Sequence, residues 1–333
     1  MKLPSCTITR RTFTRLLAGA GIVPPLRLPT AAGAQPEMMA YSYPLSVPGR
    51  ALGDGFLLRH GYASENTWFA PGNWHTGEDW YLPGGETGGA NVHAVAAGEV
   101  VFAGSDYPGL VVIVQHDDGL FAMYGHLDNA LAITTGQRVE RGDLLGTVLV
   151  RNDGQAPSHL HFEIRTFLTT PEVNGATPRY GFSCGVECPP GPGYWPIDAP
   201  EHPSAMGWRN PMHVINRRAW MNGTPAATEA IVATAAPAEM PLWSGPPGED
   251  AEQVGTQEIA PGDRFPLLAV TTGPEDGTGT SAEAYQVWYQ LGLAAGDVES
   301  VWAQAVVPST NDTGSDGRPS SVALALVPGV MGS

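Results

Sequence analysis

The stretch Ser158–Arg165 reads SHLHFEIR, and its alternating pattern decides how the surrounding chain is organised. Successive side chains of a β-strand point to opposite faces. One face of this strand would then be polar and the other apolar; the two sets are His159, His161, Glu163 and Arg165, and Leu160, Phe162 and Ile164. We therefore expect a strand that packs its apolar face on a core and presents two imidazoles to a groove. An isolated His-x-His pair is more often an ordinary surface pair, so other segments must decide between these interpretations.

Two other segments supply partners for these histidines. Asn73–Trp80 reads NWHTGEDW, and Met123–Asp128 reads MYGHLD. A hydrolytic zinc site needs three protein ligands of the His, Asp or Glu type and an open position for water. The residues that form such a set are His75, Asp79 and His161. Gly77 and the flanking Pro71–Gly72 disfavour a helix and predict a tight turn entering a strand, which would direct both side chains of the first segment toward one metal.

The order of these motifs resembles that of the lysostaphin-type zinc endopeptidases of bacterial cell walls. The chain shows His-x-Gly-x-Asp from position 75, then Tyr-Gly-His-Leu from 124, then His-Leu-His-Phe-Glu from 159. The resemblance covers residues 50–166, with a closing piece at Trp208–Pro211. It implies that His75, Asp79 and His161 bind one zinc ion and that His126 and His159 are the catalytic pair.

The resemblance further implies an exported zinc-dependent endopeptidase that hydrolyses peptide bonds in peptidoglycan stem peptides or cross-bridges. Zinc would lower the pKa of its bound water to about 7. His126 and His159 would exchange protons or donate to the developing oxyanion, and the sequence leaves open which does which. Two alternatives remain: a secreted metallopeptidase that acts on proteins, and a catalytically inactive protein that binds the cell wall or regulates other enzymes. The presence of all five motif residues favours an active enzyme.

The charge balance disfavours nucleic acid and anionic membranes as partners. The formal net charge is −16, and the first 34 residues hold five basic residues and no acidic one. Their removal would leave 12 basic against 33 acidic residues. Binding to nucleic acid depends on the neutralisation of phosphates by Lys and Arg. We therefore expect recognition of the substrate, peptidoglycan peptides, to depend on local contacts.

Residues 1–34 are predicted to be an export signal of the twin-arginine type. Thr9–Arg15 reads TRRTFTR and resembles the twin-arginine consensus, the apolar run Leu16–Val23 follows, and Ala32–Ala34 offers a small-x-small cleavage site. The apolar run is shorter than the ~20 residues that a membrane-spanning helix needs. A secreted or cell-envelope protein without a membrane span in its mature form is therefore expected, and a general secretory signal is the alternative.

The cysteine pattern agrees with export. Cys6 lies within the predicted signal, which leaves Cys184 and Cys188 as an even pair. Outside the cytosol such a pair is most simply a disulfide. A second metal site is the alternative interpretation, but it would need two further ligands.

The fold class predicted for the chain is mainly β. Residues 51–221 are expected to form the peptidase domain, an antiparallel open sheet preceded by an N-terminal extension at 35–50. The expected strands are short and rich in β-branched or aromatic residues: Glu99–Ala103, Leu110–Gln115, Leu120–Tyr124, Leu144–Val150 and His159–Thr166. The Pro/Gly-rich residues 167–206 form an irregular insertion, which we expect to be one wall of the substrate groove.

A second module follows a linker at 222–238. Residues 239–308 resemble a bacterial Src-homology-3-like β-barrel, in particular the Ser-Gly-Pro turn from 244 and the Trp-Tyr strand from 288. The module would bind the cell wall through exposed aromatics, or its tryptophans would be barrel core; these are Trp243, Trp288 and Trp302. Residues 309–333 are predicted to be a disordered tail.

Several other polar residues receive simpler interpretations. Glu163 shares the histidine face and is expected to orient a ligand imidazole. Glu78 would point away from Asp79, and Arg59 would lie near the groove entrance. The remaining histidines are interpreted as structural or ordinary polar residues: His60, His93, His116, His202 and His213.

Overall fold

The computed structural model describes residues 39–46, 56–65, 67–82, 87–104, 109–152, 154, 156–174, 177, 193–221, 229–233, 238–246, 248, 250–276, 285–313 and 319–329. The predicted export signal at 1–34 and the predicted disulfide between Cys184 and Cys188 lie outside these ranges.

The described residues form mostly β-strands. The strands of the first part are β1 (Leu45–Ser46), β2 (Leu57–His60), β3 (Asn73–His75), β4 (Glu78–Tyr81), β5 (Asn91–His93), β6 (Gly98–Gly104), β7 (Leu110–His116), β8 (Phe121–Leu127), β9 (Arg138–Val139), β10 (Leu144–Thr147), β11 (Leu160–Arg165), β12 (Tyr194–Pro196) and β13 (Trp208–Arg209). Helices α1 (Pro203–Met206) and α2 (Pro211–Met221) flank β13. The second part contains β14 (Glu229–Val232), β15 (Ala238–Trp243), β16 (Gln253–Ile259), β17 (Arg264–Thr272), β18 (Val287–Leu291), β19 (Val301–Gln304), β20 (Val306–Thr313) and β21 (Pro319–Gly329).

The strand that carries the two neighbouring histidines lies inside the first large sheet. The sheet has the order β2-β4-β11-β8-β7-β6-β9, with β13 also paired to β11. Strand β11 pairs antiparallel with β4 on one side and β8 on the other. The prediction of a mainly antiparallel β fold is confirmed. Leu160, Phe162 and Ile164 are fully buried in the core, as the alternation predicts.

The polar face of β11 is more enclosed than an open groove would be. Glu163 and Arg165 are fully buried. Trp208 lies over this end of the strand and donates its indole N–H to Glu163 Oε2 at 3.0 Å. The guanidinium of Arg165 stacks on the ring of Phe167 at 5.3 Å. Only the histidine end of the polar face therefore remains for chemistry.

Helix α2 connects the two large sheets. It begins at Pro211, a residue whose fixed φ suits the first helical position, and Asn210 Oδ1 caps it by accepting the N–H of His213 at 3.2 Å. Asn216 Nδ2 donates to the Tyr43 hydroxyl at 3.0 Å, and its Oδ1 accepts from the Tyr289 hydroxyl at 2.9 Å. No helix within the described ranges has the length and apolarity required to cross a membrane.

The second large sheet has the order β16-β15-β19-β18-β17-β14-β21-β20. It extends beyond the module predicted at 239–308 in both directions. Residues 229–232, within the predicted linker, form β14 between β17 and β21. The likeness of this sheet to a Src-homology-3-like barrel stays a prediction.

The prediction of a disordered tail from 309 is wrong for its described residues. Strand β21 pairs with both β14 and β20, and it packs against β2 of the first sheet. Its apolar side chains are buried or partly buried: Val322, Ala323, Leu324, Ala325, Leu326 and Val327. The apolar run that is too short to span a bilayer has a suitable length for a buried strand.

The three tryptophans of the second module do not form its core. Strand β18 buries Val287, Tyr289 and Leu291, whereas Trp288 between them is half-buried. Trp302 alternates in the same way with Val301 and Ala303 in β19, and it pairs across the sheet with Trp243. The tryptophans therefore lie on the face opposite to the sheet's buried side.

His213 is a buried, neutral link between α2 and the second sheet. Its Nδ1–H donates to the carbonyl of Pro274 at 2.7 Å, and its Nε2 accepts the N–H of Gln286 at 2.9 Å. A protonated ring would lose the second bond, because it has no acceptor. Burial lowers the pKa of His213 to about 4, against the opposing effect of Asp276 and Glu275 and with the help of Arg217.

We expect His213 to make the fold sensitive to acid. Because its pKa is lower in the folded than in the unfolded chain, its contribution is complete above the unfolded value of 6.5 and is lost as pH falls toward 4. The pKa difference corresponds to about 3 kcal/mol of unfolding free energy. Urea unfolding of wild type and His213→Gln at pH 7 and pH 4, both with chelator present, measures this. Equal losses of stability in the two proteins would refute the assignment.

Candidate metal centre

A tight turn between β3 and β4 places His75 and Asp79 on one side of β11. His75 is the last residue of β3, and Asp79 is the second residue of β4. Gly77 lies in the turn, where a Cβ atom would stand 2.4 Å from the carbonyl oxygen of Phe162. Only glycine therefore allows the turn to approach β11 this closely.

The register of the sheet completes the cluster. His161 lies directly opposite Asp79 on β4 and opposite Gly125 on β8. His161 Nδ1 is 3.0 Å from His75 Nε2 and 3.1 Å from Asp79 Oδ1, and His75 Nε2 is 3.3 Å from Asp79 Oδ1. All three side chains are buried. The structure thus brings together the three residues that the motifs suggest as metal ligands.

The outer hydrogen bonds of both rings fix which nitrogens face inward. His75 Nδ1 donates to the carbonyl of Gly61 at 3.2 Å, and His161 Nε2 donates to Glu163 Oε1 at 3.1 Å. Two imidazole lone pairs and a carboxylate oxygen therefore face one another, an arrangement that is repulsive unless positive charge lies between them. Tetrahedral coordination with bonds of about 2.0–2.1 Å would separate ligand atoms by about 3.3 Å, close to the spacing observed here. The donor set fits a small divalent cation.

The ionisation of the cluster agrees with this. Burial alone would raise the pKa of Asp79, but the facing His75 and His159 and the bond from His161 hold it well below its usual range. Burial would lower the pKa of His161, yet its bonds to Asp79 and Glu163 outweigh that effect and raise the pKa to about 9. The centre of the cluster therefore favours positive charge.

Glu163 holds the ring of His161 from behind, as expected from its place on the histidine face. Its Oε1 also accepts the Thr76 hydroxyl at 2.6 Å, and its Oε2 accepts from Arg165 at 3.3 Å. Burial would raise the pKa of Glu163, but these partners and His161 lower it to about 2. The carboxylate is thus ionised and rigidly placed, as partners of metal-binding histidines commonly are.

The two remaining histidines of the motifs lie beside the cluster. The ring centroids of His126 and His159 are 4.6 Å apart, and His159 Nε2 is 3.8 Å from Asp79 Oδ1. His159 Nδ1 donates to the carbonyl of Pro157 at 2.8 Å, so Nε2 faces the cluster. Burial lowers the pKa of His159. His126 has a φ of 63°, a left-handed conformation that is uncommon for a residue with a side chain and that recurs at functional sites.

Aromatic and charged side chains support His159 from the other side. The ring of Tyr81 stacks on His159 at a centroid distance of 5.0 Å, and Arg59 lies over Tyr81 at 5.3 Å. Arg59 is buried in this stack, so it contacts the site through Tyr81 instead of standing at an open entrance. Glu78, adjacent to Asp79, points to the opposite side as predicted and accepts from the N–H of Met212 at 3.2 Å.

Sequence reasoning missed two residues near the cluster. Tyr194 of β12 pairs with His75, with ring centroids 5.3 Å apart, so the predicted insertion does reach the site. His60 lies opposite Asp79 across β2 and β4 and is buried, with no hydrogen-bond partner for either ring nitrogen within the described structure. No spacing signal marks either residue, because both are placed by strand pairing.

The other histidines lie apart from the cluster. His116 Nδ1 donates to the carbonyl of Ala97 at 3.1 Å, and burial lowers its pKa to about 4. His93 Nδ1 donates to the carbonyl of Gly142 at 2.8 Å. His202 caps α1 by accepting the N–H of Ser204 at 3.3 Å. These residues have structural roles, as expected from the sequence.

Comparison with known proteins agrees with the motifs. Residues 73–175 match Peptidase family M23, and no curated protein sequence matches the chain. A zinc-containing peptidase from Vibrio cholerae is similar at 26% identity and a TM-score of 0.28, over 38% of this chain and 36% of that one. The catalytic domain of the prophage-encoded M23 protein EnpA from Enterococcus faecalis shows 26% identity and a TM-score of 0.29, over 35% and 85%.

The antimicrobial peptidase lysostaphin from Staphylococcus simulans is similar over a longer stretch, at 16% identity and a TM-score of 0.33, covering 82% of this chain and 96% of that one. The family match spans all three motifs, from the turn that holds His75 and Asp79 to the strand that holds His161. Residues 73–175 of this chain therefore form a lysostaphin-type domain of peptidase family M23.

Proposed function

We propose that this chain is an exported zinc-dependent endopeptidase that hydrolyses peptide bonds of peptidoglycan. The observation that carries the proposal is the convergence of two imidazole lone pairs and one carboxylate oxygen within 3.0–3.3 Å of one another. His75, Asp79 and His161 would hold one zinc ion. The family match, whose members act on peptidoglycan, supports the substrate class.

The chemistry divides between the metal and the two neighbouring histidines. When bound, zinc would supply a Lewis acid and a water whose pKa is lowered to about 7. His159, with Nδ1 bound to Pro157, offers Nε2 as the acceptor for a proton of the attacking water and returns that proton to the departing amine. His126 donates a hydrogen bond to the oxygen of the scissile carbonyl as negative charge develops there.

The surroundings of the site support a peptide as substrate. Tyr194 of β12 lies beside His75, and the exposed Trp68 and Phe69 precede β3 on the same chain segment. Such side chains provide apolar contact area for an extended peptide. The strongly acidic composition gives no general attraction to an anionic polymer, so binding would depend on these local contacts.

A substrate comparison tests the proposal. Purified mature protein is incubated with cell-wall sacculi and, separately, with casein, each with and without a metal chelator. We expect release of new amino termini from sacculi, loss of that release with chelator, and its return on addition of zinc. Chelator-sensitive cleavage of casein alone would instead favour a secreted peptidase of proteins. Absence of cleavage of both substrates by zinc-loaded protein would contradict the assignment as an enzyme.

A further inference from the structure

The C-terminal strand β21 contacts the loop that adjoins the metal centre. The buried Ser321 accepts the N–H of Gly61 at 3.1 Å through its hydroxyl, which also lies 2.9 Å from the Ser64 hydroxyl. The neighbouring Ser320 donates its hydroxyl to the carbonyl of Arg59 at 3.0 Å. Strand β21 therefore holds the segment from 59 to 64 at three points.

This segment in turn holds the metal ligand His75. The N–H of Ala63 donates to the carbonyl of His75 at 2.8 Å, and the N–H of His75 donates to the carbonyl of Ser64 at 2.9 Å. The carbonyl of Gly61 accepts Nδ1–H of the His75 ring at 3.2 Å and the Ser64 hydroxyl at 2.6 Å. Both the backbone and the ring of His75 are thus fixed by residues 61–64.

The donors and acceptors close into a ring. Because the Ser64 hydroxyl donates to the carbonyl of Gly61, its oxygen is free to accept the Ser321 hydroxyl. The Ser321 oxygen accepts the N–H of the same Gly61. Each hydroxyl therefore donates once and accepts once, and removal of either one leaves a buried polar group unpaired, which is costly. The position of the Gly61 carbonyl, and with it the tautomer of His75, depends on this ring.

A second contact from the same part of the chain reaches the same loop. The Tyr285 hydroxyl accepts the N–H of Tyr62 and donates to Glu78 Oε1 at 3.3 Å. The aromatic ring leaves no room for a side chain at Gly61, where a Cβ atom would lie 2.8 Å from the Tyr285 oxygen. The second sheet therefore confines this loop from two directions.

We infer that Ser321 is a positioning residue for metal ligand His75, so that strand β21 completes the metal centre of the peptidase domain. The inference rests on the proposed function only in that the site holds zinc. Ser321 touches neither metal nor substrate. It acts through the Gly61 carbonyl, which keeps the proton of His75 on Nδ1 and the lone pair of Nε2 directed inward.

Zinc affinity tests the inference directly. We expect Ser321→Ala to bind zinc about 10–100-fold more weakly than wild type in competition with a chromophoric chelator, the loss typical of a removed outer partner of a metal-bound histidine. Ser64→Ala opens the same ring from the other side and should weaken binding similarly. The double variant should lose little more than either single one, because both act as one unit.

A matched control separates positioning from general stability. Leu324→Ala removes a buried side chain of the same strand that does not contact residues 61–64, so it should lower the urea midpoint and leave zinc affinity unchanged. Wild-type affinity in Ser321→Ala and Ser64→Ala, or an equal loss of affinity in Leu324→Ala, would overturn the inference. Should the wild-type chain itself bind no zinc in equilibrium dialysis, the proposed function fails first, and the two failures are thereby distinguished.

Discussion

His161→Ala is expected to abolish tight zinc binding and hydrolysis together. The variant removes one of three ligand atoms and leaves Asp79 and Glu163 as buried carboxylates without their imidazole partner. Metal affinity should fall by more than the about 10–100-fold that follows loss of an outer partner. Zinc content after dialysis and cleavage of the wild-type substrate measure the two effects.

The control for this variant is His93→Ala. His93 is a partly buried histidine of β5 whose ring is hydrogen-bonded to Ser46 and Gly142, away from the cluster. It should keep one zinc per chain and full activity. If His161→Ala retained one tightly bound zinc with normal hydrolysis, the assignment of the metal centre would be wrong.

Replacement of His126 or His159 by alanine is expected to separate activity from metal content. Neither ring belongs to the cluster of three, although His159 Nε2 lies 3.8 Å from Asp79 Oδ1. Both variants should hold zinc as wild type does, while kcat falls by about 10²–10⁴-fold, the contribution usual for a positioned proton-transfer group. The measurement is kcat on the substrate found in the digest, with zinc content determined on the same samples.

The double variant sharpens this prediction. Groups that act in one transition state are not additive, so His126→Ala with His159→Ala should lose far less than the product of the single losses. Full turnover in His126→Ala would show that this residue has no role in the reaction. A parallel loss of zinc in either variant would instead make that residue a ligand.

The sequence predicts the components of the site because their signals are local. His75 and Asp79 are four residues apart around a glycine turn, and His159 and His161 alternate on one strand. The polar face of that strand and the apolar face behind it follow from the alternation alone. What the alternation does not reveal is that Trp208 covers the Glu163 end and leaves only the histidine end for chemistry.

Other parts of the site depend on contacts between distant segments. Ser321 and Gly61 have no motif in common, and Tyr194 approaches His75 only because β12 pairs with β3. The apolar run that begins at Val322 follows Ser-, Gly- and Asp-rich residues and was therefore assigned to a disordered tail. Its burial depends on β2 and β14, which no local pattern indicates.

The bond between Gly61 and Ser321 joins residues 260 positions apart. Contacts of such separation form late in folding, because the entropy of closing the intervening loop opposes them. A nascent chain can therefore assemble the sheet that carries all three ligands while the ring of His75 still rotates freely. Tight capture of the metal would then be among the last events in the maturation of this protein, and metal occupancy would report that the chain has folded through to its final strand.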